Sequence, residues 1–328
     1  SPIVAYIQPT IEVVKNRSEQ YEAHLDFPVN KSVILTDFMN NHSELVNIHS
    51  MFDKIQNDKN LTVQSISIEG FASPEGPLAF NEQLSKKRAE ALKDYLVKKE
   101  KAPAKLYKVT FGGENWDGLV KALDSFEMEY KDEVLNIIKD VPLEKGRETK
   151  LMQLRGGVPY RYMLKYIFPS LRVAICKVNY EIKNFNVDEA KEIIKTRPQN
   201  LSLNEMFLVA NTYPKGSQEF IDVFETAVRM YPKDEIASIN AAMAALSRND
   251  LVSAERYLKM VNAHKQLPEY SNAMGVLMLL KGDYEHAEEY LKAAAEAGLE
   301  AAGQNLEELA TKRTNAAEIE KKNKNRDK

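Results

Sequence analysis

Apolar positions in this chain switch between a period of two and a helical period, and the switches mark its elements. From Tyr21 to Val29, Leu25, Phe27 and Val29 recur at every second place, the spacing of a half-buried strand. Asn40–Asn57 follows with Leu45, Ile48, Phe52 and Ile55 on one helical face. Val63–Glu69 alternates again, with Val63, Ser65, Ser67 and Glu69 facing away from Ile66 and Ile68, and it ends in Gly70. Phe80–Lys99 is helical by its Leu84, Ala91, Leu92, Tyr95 and Leu96. Leu106–Phe111 is a short strand closed by Gly112 and Gly113, and Leu171–Ile182, with Val173, Ile175 and Val178, is the last and longest. That order predicts one sheet with helices packed on it. A long insertion, Trp116 to Pro169, interrupts it. The insertion reads as helical over Leu119–Ile138, then polar and glycine-containing over Glu144–Pro159, with Pro142 and Pro159 as punctuation.

Beyond Asn186 the period is helical only, and a repeat emerges. Ser247–Leu258 aligns with Leu280–Leu291, so that Asp250 and Asp283, Ala254 and Ala287, Tyr257 and Tyr290, and Leu258 and Leu291 correspond. The Lys281-Gly282-Asp283-Tyr284 turn, with small residues at Gly275 and Ala287, resembles the tetratricopeptide repeat, a helix–turn–helix unit of about 34 residues. A degenerate earlier copy ends with Phe220, Phe224, Ala227 and Pro232, and the resemblance covers about residues 201–298. Glu300–Arg313 would cap the array, leaving residues 314–328 as a polar, solvated tail. The domains expected are therefore 1–185, with an insertion at about 116–169, and 186–313.

Bulk properties narrow the function classes. The 328 residues are 44% hydrophobic and 28% charged, enough apolar material for two packed cores. A net charge of −3 and the lack of a dense basic stretch give no general attraction to nucleic acid. No apolar run approaches the length of a membrane span, and Ser1–Thr10 lacks the pattern of a signal peptide. The one cysteine, Cys176, sits in an alternating apolar run and reads as a small core side chain. The five histidines form no metal-spaced cluster, and no nucleophile–base motif or phosphate loop occurs. The expectation is a protein that is not an enzyme, without metal or cofactor.

One stretch carries a candidate site. Gly70–Ala89, with Gly70, Phe71, Gly76, Asn81, Leu84, Ser85, Arg88 and Ala89, resembles the core of the OmpA C-terminal, peptidoglycan-binding family. Gly112-Gly113-Glu114 stands at that family's turn after the third strand, and Ser170-Leu171-Arg172-Val173 at the start of its last strand. The resemblance spans roughly residues 21–182 and implies an α+β fold, a βαβαβ sheet-and-helix domain, ahead of the all-α repeats. It also implies a ligand, the diaminopimelate of a peptidoglycan stem peptide. An arginine forks onto its carboxylate and an aspartate about 15 places earlier takes its ammonium. Arg88 matches the first, whereas Ser73 stands where the aspartate belongs. A serine carries no charge, a loss of about 1.5–3 kcal/mol for a charge-assisted bond.

Glu75 lies two residues on and could substitute, while Ser73-Pro74-Glu75-Gly76 could equally be only a tight turn. Arg88 could anchor a carboxylate or pair with a neighbouring acid, and Asn81 reads as a helix cap. Trp116 reads as a packing anchor, with stacking on a sugar as the other option. The candidate ligand residues are thus Ser73, Glu75, Asn81, Arg88 and Arg172. The expected role is a cell-envelope adaptor that touches peptidoglycan through the sheet domain and a protein through the repeats. The alternative is a pure protein-interaction scaffold for surface or fimbrial assembly, with the glycan site lost. The form of the loop is similar to OmpA-like proteins of Bacteroidetes, which implies a periplasmic or outer-membrane setting.

Overall fold

A computed structural model describes residues 1–27 and 32–327. They form two compact units: residues 14–183, and a second made of Ser1–Val13 with the chain from Asn184 onward.

The first unit is built on a four-stranded sheet in the order β1-β4-β2-β3, from β1 (Lys15–Ala23), β2 (Leu61–Ala72), β3 (Tyr107–Glu114) and β4 (Ala174–Ile182). β2 and β3 run parallel, while β4 is antiparallel to both β1 and β2. Two helices, α1 (Asn41–Gln56) and α2 (Leu78–Lys99), connect strands and cover one face. The period-two pattern explains why: Ile66 and Ile68 of β2 and Cys176 and Val178 of β4 point to the face where Ile48, Phe52, Leu92 and Leu96 also pack, all nearly solvent-free. Each such side chain contributes about 1.5–3 kcal/mol by leaving water. Burial pushes the Cys176 thiol up to about 12, which leaves it an inert core group.

Gly70 allows the sheet and α2 to meet. A Cβ there would lie 2.4 Å from the Ser85 carbonyl oxygen and 3.0 Å from the Ala89 Cβ. The strand and helix backbones approach too closely for any side chain larger than hydrogen.

Several boundaries differ from the sequence expectation. The first strand is Lys15–Ala23, overlapping only the start of the expected Tyr21–Val29. This edge strand is almost wholly polar (KNRSEQYEA), so period-two apolarity could not find it. Leu25 and Phe27 still pack on the core after the strand has ended, and Val29 lies outside the described residues. The expected helix 119–138 is two helices, α3 (Trp116–Leu123) and α4 (Lys131–Asp140), separated by a turn whose Tyr130 has φ +63°. The polar stretch 144–159 is largely helical too: α5 (Arg147–Gln153) and the start of α6 (Val158–Tyr166), followed by α7 (Phe168–Leu171). Leu151 of that stretch, with Tyr160 and Met163 just after it, closes a separate small core with Trp116, Leu119 and Phe168.

The second unit is helical: α8 (Val187–Thr196), α9 (Leu203–Ala210), α10 (Gln218–Met230), α11 (Glu235–Ser247), α12 (Leu251–Lys259), α13 (Pro268–Lys281), α14 (Tyr284–Glu296) and α15 (Glu300–Arg326). Successive helices pack against one another. The repeated residues do the same work in each copy. Asp250 and Asp283 are N-caps that accept from Ser253 N–H and His286 N–H, and each follows a left-handed residue, Asn249 or Gly282. Ala254 and Ala287 are fully buried, and a Cβ on Gly275 would meet the Leu291 side chain at 2.6 Å. The region expected as a loose tail instead continues α15 to Arg326, exposed but helical, in keeping with its Ala, Glu and Lys content. Residues 1–13, expected with the sheet, belong to this helical unit. Among the described residues no helix is long and apolar enough to cross a membrane.

Candidate functional site

The parallel β2 and β3 end side by side, and the row Ala23, Ala174 and Gly70 brings the end of β1 and the start of β4 to the same rim. A loop, residues 73–76, leads from β2 into α2 there. Gly76 makes the turn with φ +86°, a conformation that a side chain would strain.

Three side chains from elsewhere in this unit hold that loop. Arg172, just before β4, donates from Nε to the Ser73 hydroxyl (3.1 Å) and from a terminal nitrogen to the Glu75 carboxylate (3.1 Å). Asn81 donates to the Glu75 carbonyl (2.8 Å), and Glu148 of the insertion accepts from Gly76 N–H (3.0 Å). Asn81 is therefore no cap. α2 opens earlier, at Leu78, behind Pro77, and Asn81 lies inside it with its amide turned to the loop. The same amide donates to the buried Glu114 carboxylate (2.8 Å), which also accepts from the Trp116 indole (3.2 Å). Trp116 is a buried packing residue with the Arg147 guanidinium 4.7 Å from its ring centre.

Burial raises the Glu114 carboxyl above its ordinary range, reinforced by Glu148 and Glu82 and opposed by the Asn81 and Trp116 hydrogen bonds. The sign follows. The folded state holds this proton more tightly, so the group's stabilising effect is full below the ordinary carboxylate value and is lost as pH rises through the folded one. Glu114→Gln should flatten that part of the stability profile in urea denaturation from pH 4 to 8. Glu114→Ala should cost about 2–4 kcal/mol, because two buried donors then lack an acceptor.

Arg88, three turns into α2, makes no ion pair among the described residues. Its guanidinium stacks on Phe27 at 4.9 Å, and its Nε is buried with no hydrogen-bond partner among the described residues. Burial lowers its pKa, and the like charge of Arg172 lowers it further; Asp26 opposes both. Between Arg88 and Arg172 lies a cavity of about 20 Å³, walled by Leu25, Phe27, Gly70 and Phe71. That is room for one water-sized group, such as a single carboxylate oxygen. On the other sheet face a wide cleft is lined by Glu22, His24, Glu69 and Asp117, a setting that disfavours an anion.

Of the five residues expected from sequence, Ser73, Glu75, Asn81 and Arg172 form one hydrogen-bonded cluster, and Arg88 shares the cavity with Arg172. Sequence reasoning missed Asp26 and Phe27. They follow an edge strand that periodicity did not delimit, and only the tertiary structure brings them to Arg88. It also missed Glu148, hidden in the insertion.

The sequence model of the OmpA family matches residues 27–118. That segment holds α1, β2, α2 and β3 with Ser73, Glu75, Asn81 and Arg88, and it stops short of β4 and Arg172. The chain thus contains an OmpA family domain followed by a helical region. Comparison with curated proteins gives no match.

Proposed function

We propose that the protein is a non-catalytic cell-envelope adaptor whose OmpA family domain takes a peptidoglycan stem peptide at the Arg88–Arg172 cavity. The observation that carries this reading is the Arg88 guanidinium, half-buried beside a second guanidinium, with an Nε that no group among the described residues satisfies. A buried donor left unpaired is costly, and a carboxylate arriving from outside supplies what it lacks.

The ligand is a zwitterion, so the ammonium needs an acid. Ser73 is committed to Arg172 and carries no charge. Two acids stand near: Glu75, paired with Arg172, and Asp26, the acid that acts on Arg88. Asp26 is the better candidate because it has no ion pair to give up among the described residues. The helical unit, in this proposal, is a tetratricopeptide-like array that holds a protein partner, and the setting is the periplasm or the outer membrane. Support for that array comes from the repeated caps at Asp250 and Asp283 and the close crossing at Gly275.

Co-sedimentation with purified peptidoglycan sacculi tests the reading. The wild type should pellet, Arg88→Ala and Asp26→Asn should each pellet at least several-fold less, and Glu75→Gln should pellet as well as the wild type. Equal pelleting by all four, or none by the wild type, rejects the site.

A second reading has its own observation. Glu75 already occupies Arg172, and the cavity is small, which suits a scaffold whose glycan site has closed on itself. In that case the domain serves only as a platform for surface assembly.

A further inference from the structure

One buried asparagine recurs in the first helix of each successive pair of the helical unit: Asn204 in α9, Asn240 in α11, Asn272 in α13 and Asn305 in α15. Asn272 and Asn305 are 0% exposed and Asn240 is 2%. Asparagine is a poor residue for a helix interior, and a buried amide needs partners, so a repeated one calls for a reason beyond helix stability.

Three of the four bond main-chain groups of residues 3–7. Asn305 Oδ1 accepts from Ile3 N–H at 2.6 Å, while the amide nitrogens of Asn305 and Asn272 donate to the Ile3 carbonyl at 2.8 and 3.1 Å. Asn305 also donates to Asn272 Oδ1 at 2.9 Å, which links the two. Asn240 repeats the pattern on Ile7, accepting from its N–H and donating to its carbonyl, both at 2.8 Å. Gln8 donates to Asn204 Oδ1 at 3.3 Å. A side-chain amide offers both donors and an acceptor, as the backbone of a neighbouring strand does, so the contacts to Ile3 and Ile7 read backbone and not side chain, while Gln8 is held through its own amide.

Side chains supply the anchoring. Tyr6 stacks on Phe224 (ring centres 4.7 Å, 20°) and meets Phe220 edge-on at 5.0 Å. Val4 and Ile7 pack on the α11–α13 core, and Pro9 is buried against Leu203, Met206 and Val223. Residues 1–9 form neither helix nor strand, and among the described residues none of their main-chain groups pairs with another main-chain group. The helices keep their own ladders intact, so nothing in their backbone requires the segment.

We infer that the asparagine-lined face of α9, α11, α13 and α15 is a binding groove for an extended peptide, and that residues 3–9 are its built-in, exchangeable ligand. The peptide it takes has the chemistry of that segment: an extended chain with small or branched apolar residues, an aromatic at the fourth place after the first clamped residue is counted, and proline three further on. Any partner reaching this face of the repeats competes with the chain's own segment. The inference holds whether or not the other unit takes peptidoglycan.

The test uses the full chain with a protease recognition sequence inserted after Thr10, cleaved under native conditions. A fluorescent peptide of residues 1–10 is then titrated by anisotropy. The cleaved protein should keep its helical circular dichroism and bind the peptide saturably. The uncleaved protein should bind at least tenfold more weakly, since a short tether holds its own segment at a concentration on the order of millimolar. Asn240→Ala with Asn305→Ala, or alanine at Tyr6 of the peptide, should each weaken binding at least tenfold. Binding that ignores cleavage or the asparagines overturns the inference. So does a cleaved protein that unfolds, or one that stays folded and never exchanges its segment. Hydrogen exchange on the uncut chain gives a second reading: the Ile3 and Ile7 amides should exchange well before those in the middle of α11 and α13, and equal protection makes the segment a fixed part of the core.

Discussion

Gly70→Val is expected to bring down the sheet unit while the helical unit melts where it did before. The added Cβ meets a backbone oxygen at 2.4 Å and the Ala89 Cβ at 3.0 Å, atoms that cannot swing aside as a flexible side chain would. Strand and helix must separate, which exposes the layer formed by Ile66, Ile68, Leu92 and Cys176. Overpacking of this kind costs about 3 kcal/mol or more, or roughly 6–12 °C in the melting temperature of a unit this size. Gly76→Ala provides the contrast. Nothing lies within 4 Å of its Cβ position, so only the strain of φ +86° remains, about 1 kcal/mol. Differential scanning calorimetry on the two variants separates these outcomes, and similar losses at both sites would refute the close-approach argument.

Arg88→Met should weaken ligand binding at least tenfold while leaving the fold as stable as before, or more so. Both causes that lower the Arg88 pKa, burial and the charge on Arg172, are costs to the folded protein, and among the described residues Asp26 is what offsets them. Methionine keeps the apolar stem that covers Phe27 and removes the charge and the unpaired Nε. A residue whose loss spares stability and removes binding is one retained for a ligand. Thermal melts beside binding curves provide the readout. A variant that loses stability and binding together would make Arg88 a structural residue instead.

The elements legible in the sequence were those whose apolar period matched their burial. β2, α1 and α2 emerge within two or three residues because Ile66, Ile68, Phe52 and Leu92 all point to one interior. β1 stayed hidden because an edge strand with polar side chains carries no such signal, and α5 and α6 because short helices can close a core with few apolar residues. Within the site, Ser73, Glu75 and Arg88 could be placed from a motif, being close in sequence. Asp26 and Glu148 reach the site only through the fold, and no spacing rule connects Asp26 to Arg88, 62 positions on, or Glu148 to Gly76, 72 positions back. The asparagines of the helical unit were individually visible, yet their common role depends on residues 3–8, which local pattern assigns to nothing.

Calorimetric titration of a diaminopimelate-containing muropeptide into the full chain and its Arg88→Met variant decides whether Arg88 holds a ligand. The wild type should bind saturably with a Kd of about 1 mM or tighter, and the variant at least tenfold more weakly while melting no lower. No saturation by the wild type, or equal affinity in the two proteins, would contradict that role.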